Sequence, residues 1–84
     1  MNNKVCVELI VPSIEERYDV FLPVSKNTLE TIYLLSKAIN EMSDGNFPIS
    51  NKISLMDVNT GVFVDMNKTI YENKILNGTK LVLI

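Results

Sequence analysis

The sequence predicts an α+β fold, in which one helix packs on one face of a mixed sheet of about five strands. Apolar residues alternate with polar ones in two runs near the start of the chain and in one run at its end, and alternation is typical of strands. Between these runs the apolar residues recur every three or four positions, which indicates a helix. The 84 residues leave no room for a second core, so we expect residues 1–84 to form a single domain.

The first two strands are predicted to form a hairpin. Residues 4–11 read KVCVELIV, and residues 17–24 form a second alternating run. A connection of about five residues between two such runs is typical of a hairpin. Pro23 has no N–H to donate to a neighbouring strand, so the second strand is expected at the edge of the sheet.

The helix is expected to begin at Asn27 and to end at Asp44 and Gly45. Either Asn27 or Thr28 can be the N-cap, and Asn27 has the spacing of a capping box with Glu30. Gly45 suits a left-handed stop. One of Leu34 and Leu35 is expected to widen the contact with the sheet, and the other to be exposed as a second contact point. The stripe predicted to face the sheet contains Leu29, Ile32, Tyr33, Ser36, Ile39 and Met42.

Three further strands are predicted in the second half of the chain, at residues 52–57, 62–64 and 79–84. Turns at residues 59–61 and at Asn77-Gly78 separate them, with an irregular segment at residues 66–76. The predicted core consists of Val5, Val7, Leu9, Val20, Leu22, Leu29, Ile32, Ile39, Ile53, Leu55, Ile70, Ile75, Leu81 and Leu83.

The composition argues against several classes of protein. The net charge is −2 and the eight Lys and Arg residues are scattered singly, so we expect no nucleic-acid binding. The single cysteine cannot form an internal disulfide, residues 1–11 do not resemble a signal peptide, and no segment has the length of a membrane span. These features predict a cytoplasmic protein without direct membrane insertion.

The sequence contains few residues that could form a catalytic site. It has no histidine and one cysteine, which excludes a zinc site and a Cys–His or Ser–His pair. The adjacent carboxylates of Glu15 and Glu16 are expected to be solvated charges of the hairpin loop rather than a catalytic pair. The three glycines are isolated and form no phosphate-binding loop. We therefore expect no enzyme activity, no cofactor and no metal.

Apolar residues on the face of the sheet away from the helix are the most informative part of the sequence. If Val5, Val7 and Leu9 face the helix, the alternating residues face outward. The first strand is expected to lie between the second and the last, so these outward residues would converge into one patch that binds a protein partner. Scattered exposed apolar side chains are the plainer alternative. The predicted protein-binding residues are Cys6, Ile10, Phe21, Val82 and Ile84.

The order of elements resembles the β-grasp, or ubiquitin-like, fold. The most specific stretch runs from Ile53 to Ile84, where Thr69-Ile70, Tyr71 and Lys74-Ile75 are similar to a segment of ubiquitin, although Tyr71 comes earlier. The sequence has no terminal Gly-Gly, which argues against conjugation to other proteins and against sulfur transfer. Ubiquitin uses the outer sheet face for recognition, so the resemblance also implies binding through that face.

The chain also resembles the YukD/EsaB proteins encoded with type VII secretion in Gram-positive bacteria. The likeness rests on its length and on the ending ILNGTKLVL at residues 75–83. It implies a non-enzymatic accessory or regulatory role in secretion through protein binding. The alternatives are a modifier or carrier processed at a longer native C-terminus, and a mobile-element protein that shares the fold. A homodimer through the apolar outer face fits the sequence equally well.

Overall fold

A computed structural model describes residues 3–49 and 52–84 and contains, within those ranges, one α-helix and four strands. The strands form one sheet in the order β2-β1-β4-β3. The prediction that the second strand lies at an edge, and the first between the second and the last, is confirmed. The elements are β1 (Lys4–Val11), β2 (Glu16–Pro23), α1 (Thr28–Met42), β3 (Leu55–Asp57) and β4 (Lys80–Leu83), with a 3-10 turn at Pro12–Ile14.

The sheet is mixed, as predicted. β1 pairs antiparallel with β2 over its whole length, from Lys4 opposite Pro23 to Val11 opposite Glu16. β1 pairs in parallel with β4, with Leu9 beside Leu81, and β3 pairs antiparallel with β4. The parallel pair in the centre requires the chain to cross over between β1 and β4, and α1 lies in that crossover.

The prediction of a fourth strand at residues 62–64 is wrong, because these residues form no strand in the structure. Phe63 makes only an isolated bridge to Met56, supported by a bond from the Val64 N–H to the Leu55 carbonyl at 2.9 Å. Pairing stops there because Asp65 starts a turn: its carboxylate accepts a bond from the Asn67 N–H at 2.9 Å. Within residues 3–49 and 52–84 the sheet therefore has four strands, whereas about five were predicted.

The helix begins and ends close to the predicted residues. The Asn27 Oδ1 atom accepts a bond from the Leu29 N–H at 2.9 Å, which confirms the predicted N-cap. Glu30 lies 3.8 Å from the Lys26 ammonium, in an exposed ion pair one turn apart. Two residues with positive φ end the helix, Asp44 at 54° and Gly45 at 84°.

The helical stripe that faces the sheet is rotated relative to the prediction. Leu29 is 45% exposed and outside the core, because it lies in the first turn, on the side away from the sheet. Tyr33 and Met42 are also exposed, whereas Leu35 is buried and Leu34 is 52% exposed. The buried helical residues are Thr28, Thr31, Ile32, Leu35, Ser36 and Ile39.

The core otherwise follows the alternation of the strands. Val5 and Val20 are partly buried and pack against it, while Val11, Leu35 and Phe47 are core residues missing from the predicted set. Phe47 is held inward after the helix, since its carbonyl accepts a bond from the Asn40 amide at 2.6 Å. The core cluster contains Val7, Leu9, Val11, Leu22, Ile32, Leu35, Ile39, Phe47, Ile53, Leu55, Ile70, Ile75, Leu81 and Leu83.

The irregular segment before β4 is held together by the side-chain amide of Asn73. Its Oδ1 accepts the Asp65 N–H at 2.8 Å, and its Nδ2 lies 2.9–3.1 Å from the Asp65 carbonyl, the Thr69 carbonyl and the Thr28 hydroxyl. Tyr71, in the same segment, is 72% exposed. Asn73 therefore ties this segment to the start of the helix.

Candidate functional site

One face of the sheet is left uncovered by the helix, and apolar side chains cross it in a row. Ile10 of β1 lies beside Val82 of β4, Val82 pairs with Met56 of β3, and Met56 bridges to Phe63. Paired residues on neighbouring strands point to the same face, so these four side chains share the outer face. Ile84 lies two residues beyond Val82 on the same face, 49% exposed. We call Ile10, Met56, Phe63, Val82 and Ile84 the apolar row.

A band of charged residues separates the apolar row from the other predicted binding residues. Along β1, Glu8 lies between Cys6 and Ile10, and it pairs with Asp19 on one side and Lys80 on the other. The Arg17 guanidinium is 3.1 Å from the Glu8 carboxylate and reinforces this band. Residues two apart on a strand are about 7 Å apart, so Cys6 lies about 13 Å from Ile10.

The predicted binding residues therefore fall into two groups. Ile10, Val82 and Ile84 lie together in the apolar row. Cys6 and Phe21 form a second group at the far end of the face, where they pair with each other and Phe21 is 70% exposed. The Cys6 N–H donates to the Asn77 Oδ1 at 2.8 Å, so this end of β1 contacts the turn before β4.

Two residues of the apolar row were missing from the predicted site. Met56 is partly buried, and Phe63 is 55% exposed. The signal that points to Phe63 is the turn at Asp57: its carboxylate accepts the Asn59 N–H at 2.8 Å and folds residues 62–64 back beside β3. Residues 57–61 read DVNTG, and Asp, Asn and Gly are residues that favour turns, so the sequence contains a signal for this turn.

The pKa of Glu72, in the irregular segment, lies below its ordinary value. Its carboxylate accepts the Thr69 N–H at 2.9 Å, while the Thr69 hydroxyl accepts the Glu72 N–H at 3.0 Å. The bond from the Thr69 backbone lowers the pKa of Glu72 because it stabilises the charged form. This reciprocal pair is a capping box, the pattern expected at Asn27 and Glu30.

Neither metal-binding nor membrane-spanning features are present in the part of the chain that the structure describes. Within residues 3–49 and 52–84, no three side chains among Asp, Glu, Cys and His lie close enough to hold a metal ion. The single α-helix of those residues is too short and too polar to cross a membrane.

The chain matches no protein-family model, and no curated protein matches it by sequence. Its similarity to solved structures is extensive but low in identity. The EccD5 ubiquitin-like domain from Mycobacterium xenopi is 17% identical at a TM-score of 0.78, covering 99% of this chain and 94% of that one. The ubiquitin-like domain of the type VII secretion protein EccD1 from Mycobacterium tuberculosis is 12% identical at a TM-score of 0.62, covering 100% and 99%.

A third similar structure is a chain of the MycP5-free ESX-5 inner membrane complex. It is 17% identical at a TM-score of 0.80, covering 99% of this chain and 21% of that chain, so this chain spans about a fifth of its length. The ubiquitin-like domains of the 4931431F19Rik protein and of an Arabidopsis thaliana protein match as well. Identities this low show the fold and nothing finer. The chain therefore has the ubiquitin-like β-grasp fold.

Proposed function

We propose that the chain is a non-enzymatic accessory or regulatory protein that binds a protein partner through the apolar row. The observation that carries this proposal is the row itself, in which side chains from three strands and the Phe63 bridge share an uncovered face. Apolar side chains grouped in this way favour association, because burying them against a partner removes apolar surface from water.

The charged band beside the row supports a binding role over a purely structural one. Protein interfaces commonly have an apolar centre and a polar rim. Arg17 and Lys80 lie along one side of the row and stay exposed. A partner that covers the row would leave these charges at its margin, where they keep their contact with water.

We further propose that the partner belongs to a type VII secretion system and that the protein acts at its cytoplasmic side. Two observations support this: the sequence resemblance to YukD/EsaB, and the fold shared with the EccD5 and EccD1 ubiquitin-like domains, of which EccD1 is a type VII secretion protein. A chain of the ESX-5 inner membrane complex shares the fold as well.

The test is site-specific photo-crosslinking in cells that express the protein natively. A benzophenone amino acid replaces Phe63 in one variant and Tyr71 in another. Both side chains are exposed aromatic residues, but the Tyr71 N–H bonds to the Val24 carbonyl, beyond the far end of β2. We expect a discrete crosslinked protein from position 63 and none from position 71, with the crosslinked protein identified by mass spectrometry as a secretion component.

The outcomes separate the two parts of the proposal. A discrete partner unrelated to secretion would contradict the secretion role but leave binding through the apolar row in place. Equal crosslinking from both positions, or none from position 63, would contradict the binding surface itself. A crosslink to a second copy of the chain would identify a homodimer through the outer face.

A further inference from the structure

The turn before β4 contains the one Asn-Gly pair of the sequence, Asn77-Gly78. Asparagine is a chemically labile residue. In its deamidation, the backbone nitrogen of the following residue attacks the side-chain amide carbon. Glycine in that position has no side chain to obstruct the attack. Both residues are exposed, so water has access to the turn.

The main chain of β1 holds both reacting groups of this pair. The Cys6 N–H donates to the Asn77 Oδ1 at 2.8 Å, and the Gly78 N–H donates to the Cys6 carbonyl at 2.8 Å. The first bond fixes the side-chain amide, which is the electrophile. The second bond occupies the N–H that has to lose its proton before the nitrogen attacks. One residue of β1 therefore restrains both the nucleophile and the electrophile.

The backbone conformation of the turn opposes the reaction as well. The Thr79 N–H donates to the Leu76 carbonyl at 3.1 Å, and Gly78 has a φ of 86°, whereas Asn77 does not have a positive φ. These features define a type II turn, in which ψ of the second residue is about +120°. Ring closure requires the Gly78 nitrogen and the Asn77 Cβ to lie on the same side of the Asn77 Cα–C bond, and this ψ directs the nitrogen away. The turn must therefore open before the ring forms.

The reaction of the open turn has two products. The Gly78 nitrogen forms a bond to the Asn77 Cγ, and its proton leaves with the side-chain nitrogen as ammonia, which gives a succinimide ring. Water then cleaves one of the two bonds between the ring nitrogen and a carbonyl carbon, adding OH to the carbon and H to the nitrogen. Cleavage at Cγ gives aspartate, whereas cleavage at the main-chain carbonyl gives isoaspartate, in which the main chain runs through Cβ and Cγ.

The two products differ in their effect on the sheet. Aspartate keeps an oxygen that accepts the Cys6 N–H, and it leaves the length of the main chain unchanged. Isoaspartate lengthens the main chain by one methylene group shortly before β4 begins at Lys80. The pairing of β4 with β1 places Leu81 beside Leu9, and both side chains are fully buried. Because these buried side chains fix the register, the longer chain disrupts the pairing.

We propose that Asn77-Gly78 is a deamidation site that β1 protects in the folded protein, and that its isoaspartyl product detaches β4 from the sheet. The reaction then proceeds at a rate set by local opening of the turn. Because Val82 lies on β4, the isoaspartyl product also loses the apolar row. A transient opening of the sheet thereby becomes an irreversible loss of the folded protein and its exposed apolar face.

The first test compares deamidation rates by mass spectrometry. Trypsin cleaves after Lys74 and Lys80, so the site lies in the peptide ILNGTK, residues 75–80. A synthetic ILNGTK peptide with blocked ends gives the rate without protection. In the same mildly alkaline buffer, we expect the folded protein to react at least about tenfold more slowly, because only its open fraction reacts.

A matched pair of variants tests whether opening of this turn sets the rate. The Thr79 hydroxyl accepts the Leu76 N–H at 3.0 Å, so Thr79→Val loosens the turn and should speed the reaction about two- to fivefold. Thr60→Val removes a similar bond, from the Val62 N–H at 3.2 Å, in a different turn and should leave the rate unchanged. The peptide ILNGVK should react at the rate of ILNGTK, which shows that the substitution acts through the fold.

The second test examines the products. The protein is deamidated in urea and refolded, the two products are separated by chromatography, and each is compared with the Asn77→Asp variant. We expect the aspartyl product and Asn77→Asp to give the amide spectrum of the folded protein. The isoaspartyl product should unfold at a lower urea concentration than the parent, or fail to fold.

Several results would overturn the proposal. They are an ILNGTK peptide that does not deamidate, a folded protein that reacts as fast as the peptide, and a Thr79→Val rate no higher than that of Thr60→Val. An isoaspartyl product that has the parent's amide spectrum and urea midpoint would contradict the loss of β4. All of these measurements are made without a partner, so their failure is distinct from failure of the binding proposal for the apolar row.

Discussion

The two faces of the sheet are built from the same strands, but one is buried against the helix and the other is exposed. On β4, Leu81 and Leu83 are at most 1% exposed and pack under the helix, while Val82 and Ile84 lie on the uncovered face. Consecutive residues of one strand therefore contribute to the core and to the apolar row. Because the side chains alternate, one substitution can disturb folding and the next can disturb binding.

The largest effect is expected from truncation on the inner face. Leu81→Ala should lower the free energy of unfolding by about 2–5 kcal/mol, because it removes buried methyl groups and leaves a cavity. Urea unfolding followed by circular dichroism measures this. The matched variant on the outer face, Ile84→Ala, should cost less than about 1 kcal/mol. Equal losses for the two variants would show that the faces are not energetically distinct.

An intermediate effect is expected where the irregular segment meets the helix. Asn73→Ala removes four hydrogen bonds, to Asp65 (two), Thr69 and Thr28, and should cost about 1–3 kcal/mol. Asn67→Ala, on the same segment, is the control and should stay within about 0.5 kcal/mol. Hydrogen exchange should also speed up in residues 65–76 of the Asn73 variant. An unchanged exchange pattern would mean that Asn73 does not hold the segment.

The smallest effect concerns acid stability at Glu72. Its pKa is lowered in the folded protein by the bond from the Thr69 backbone. The contribution is therefore fully present above the pKa of the unfolded chain and is lost as the pH falls through the lower folded value. Glu72→Gln should flatten the fall in stability over that acidic range. Glu16→Gln controls for the loss of one surface carboxylate, and a slope that Glu72→Gln leaves unchanged would contradict the assignment.

Periodicity was a good guide to the fold and a weaker guide to the candidate site. Alternation along β1 and β4 predicted the inward and outward residues, because the side-chain period of a strand is fixed by its geometry. The buried side of the helix was predicted less well. A rotation of the helix by about one residue buries Thr28 in place of Leu29 and still leaves Ile32 and Ile39 buried. Phe47 was missed because an irregular segment has no period from which burial can be read.

The candidate site depends on how neighbouring strands are aligned with one another. Alternation within a single strand does not predict that alignment. Phe21 and Ile10 were both predicted to face outward, but only the pairing of Glu8 with Asp19 and Lys80 shows that a charged band separates them. Phe63 joined the row through a single bridge to Met56, a contact set by the turn at Asp57. Outward direction is a local property of the sequence, whereas contiguity of a surface is a property of the assembled sheet.

The most direct test measures partner binding and folding in the same variant. Ile84→Asp is placed in the protein that carries the benzophenone amino acid at position 63, and both crosslinking in cells and thermal unfolding are recorded. We predict that the crosslinked partner is lost while the unfolding midpoint stays within a few degrees of the parent, since about 0.5 kcal/mol shifts it little. A partner that remains bound to the folded variant would contradict the claim that the apolar row is the binding surface.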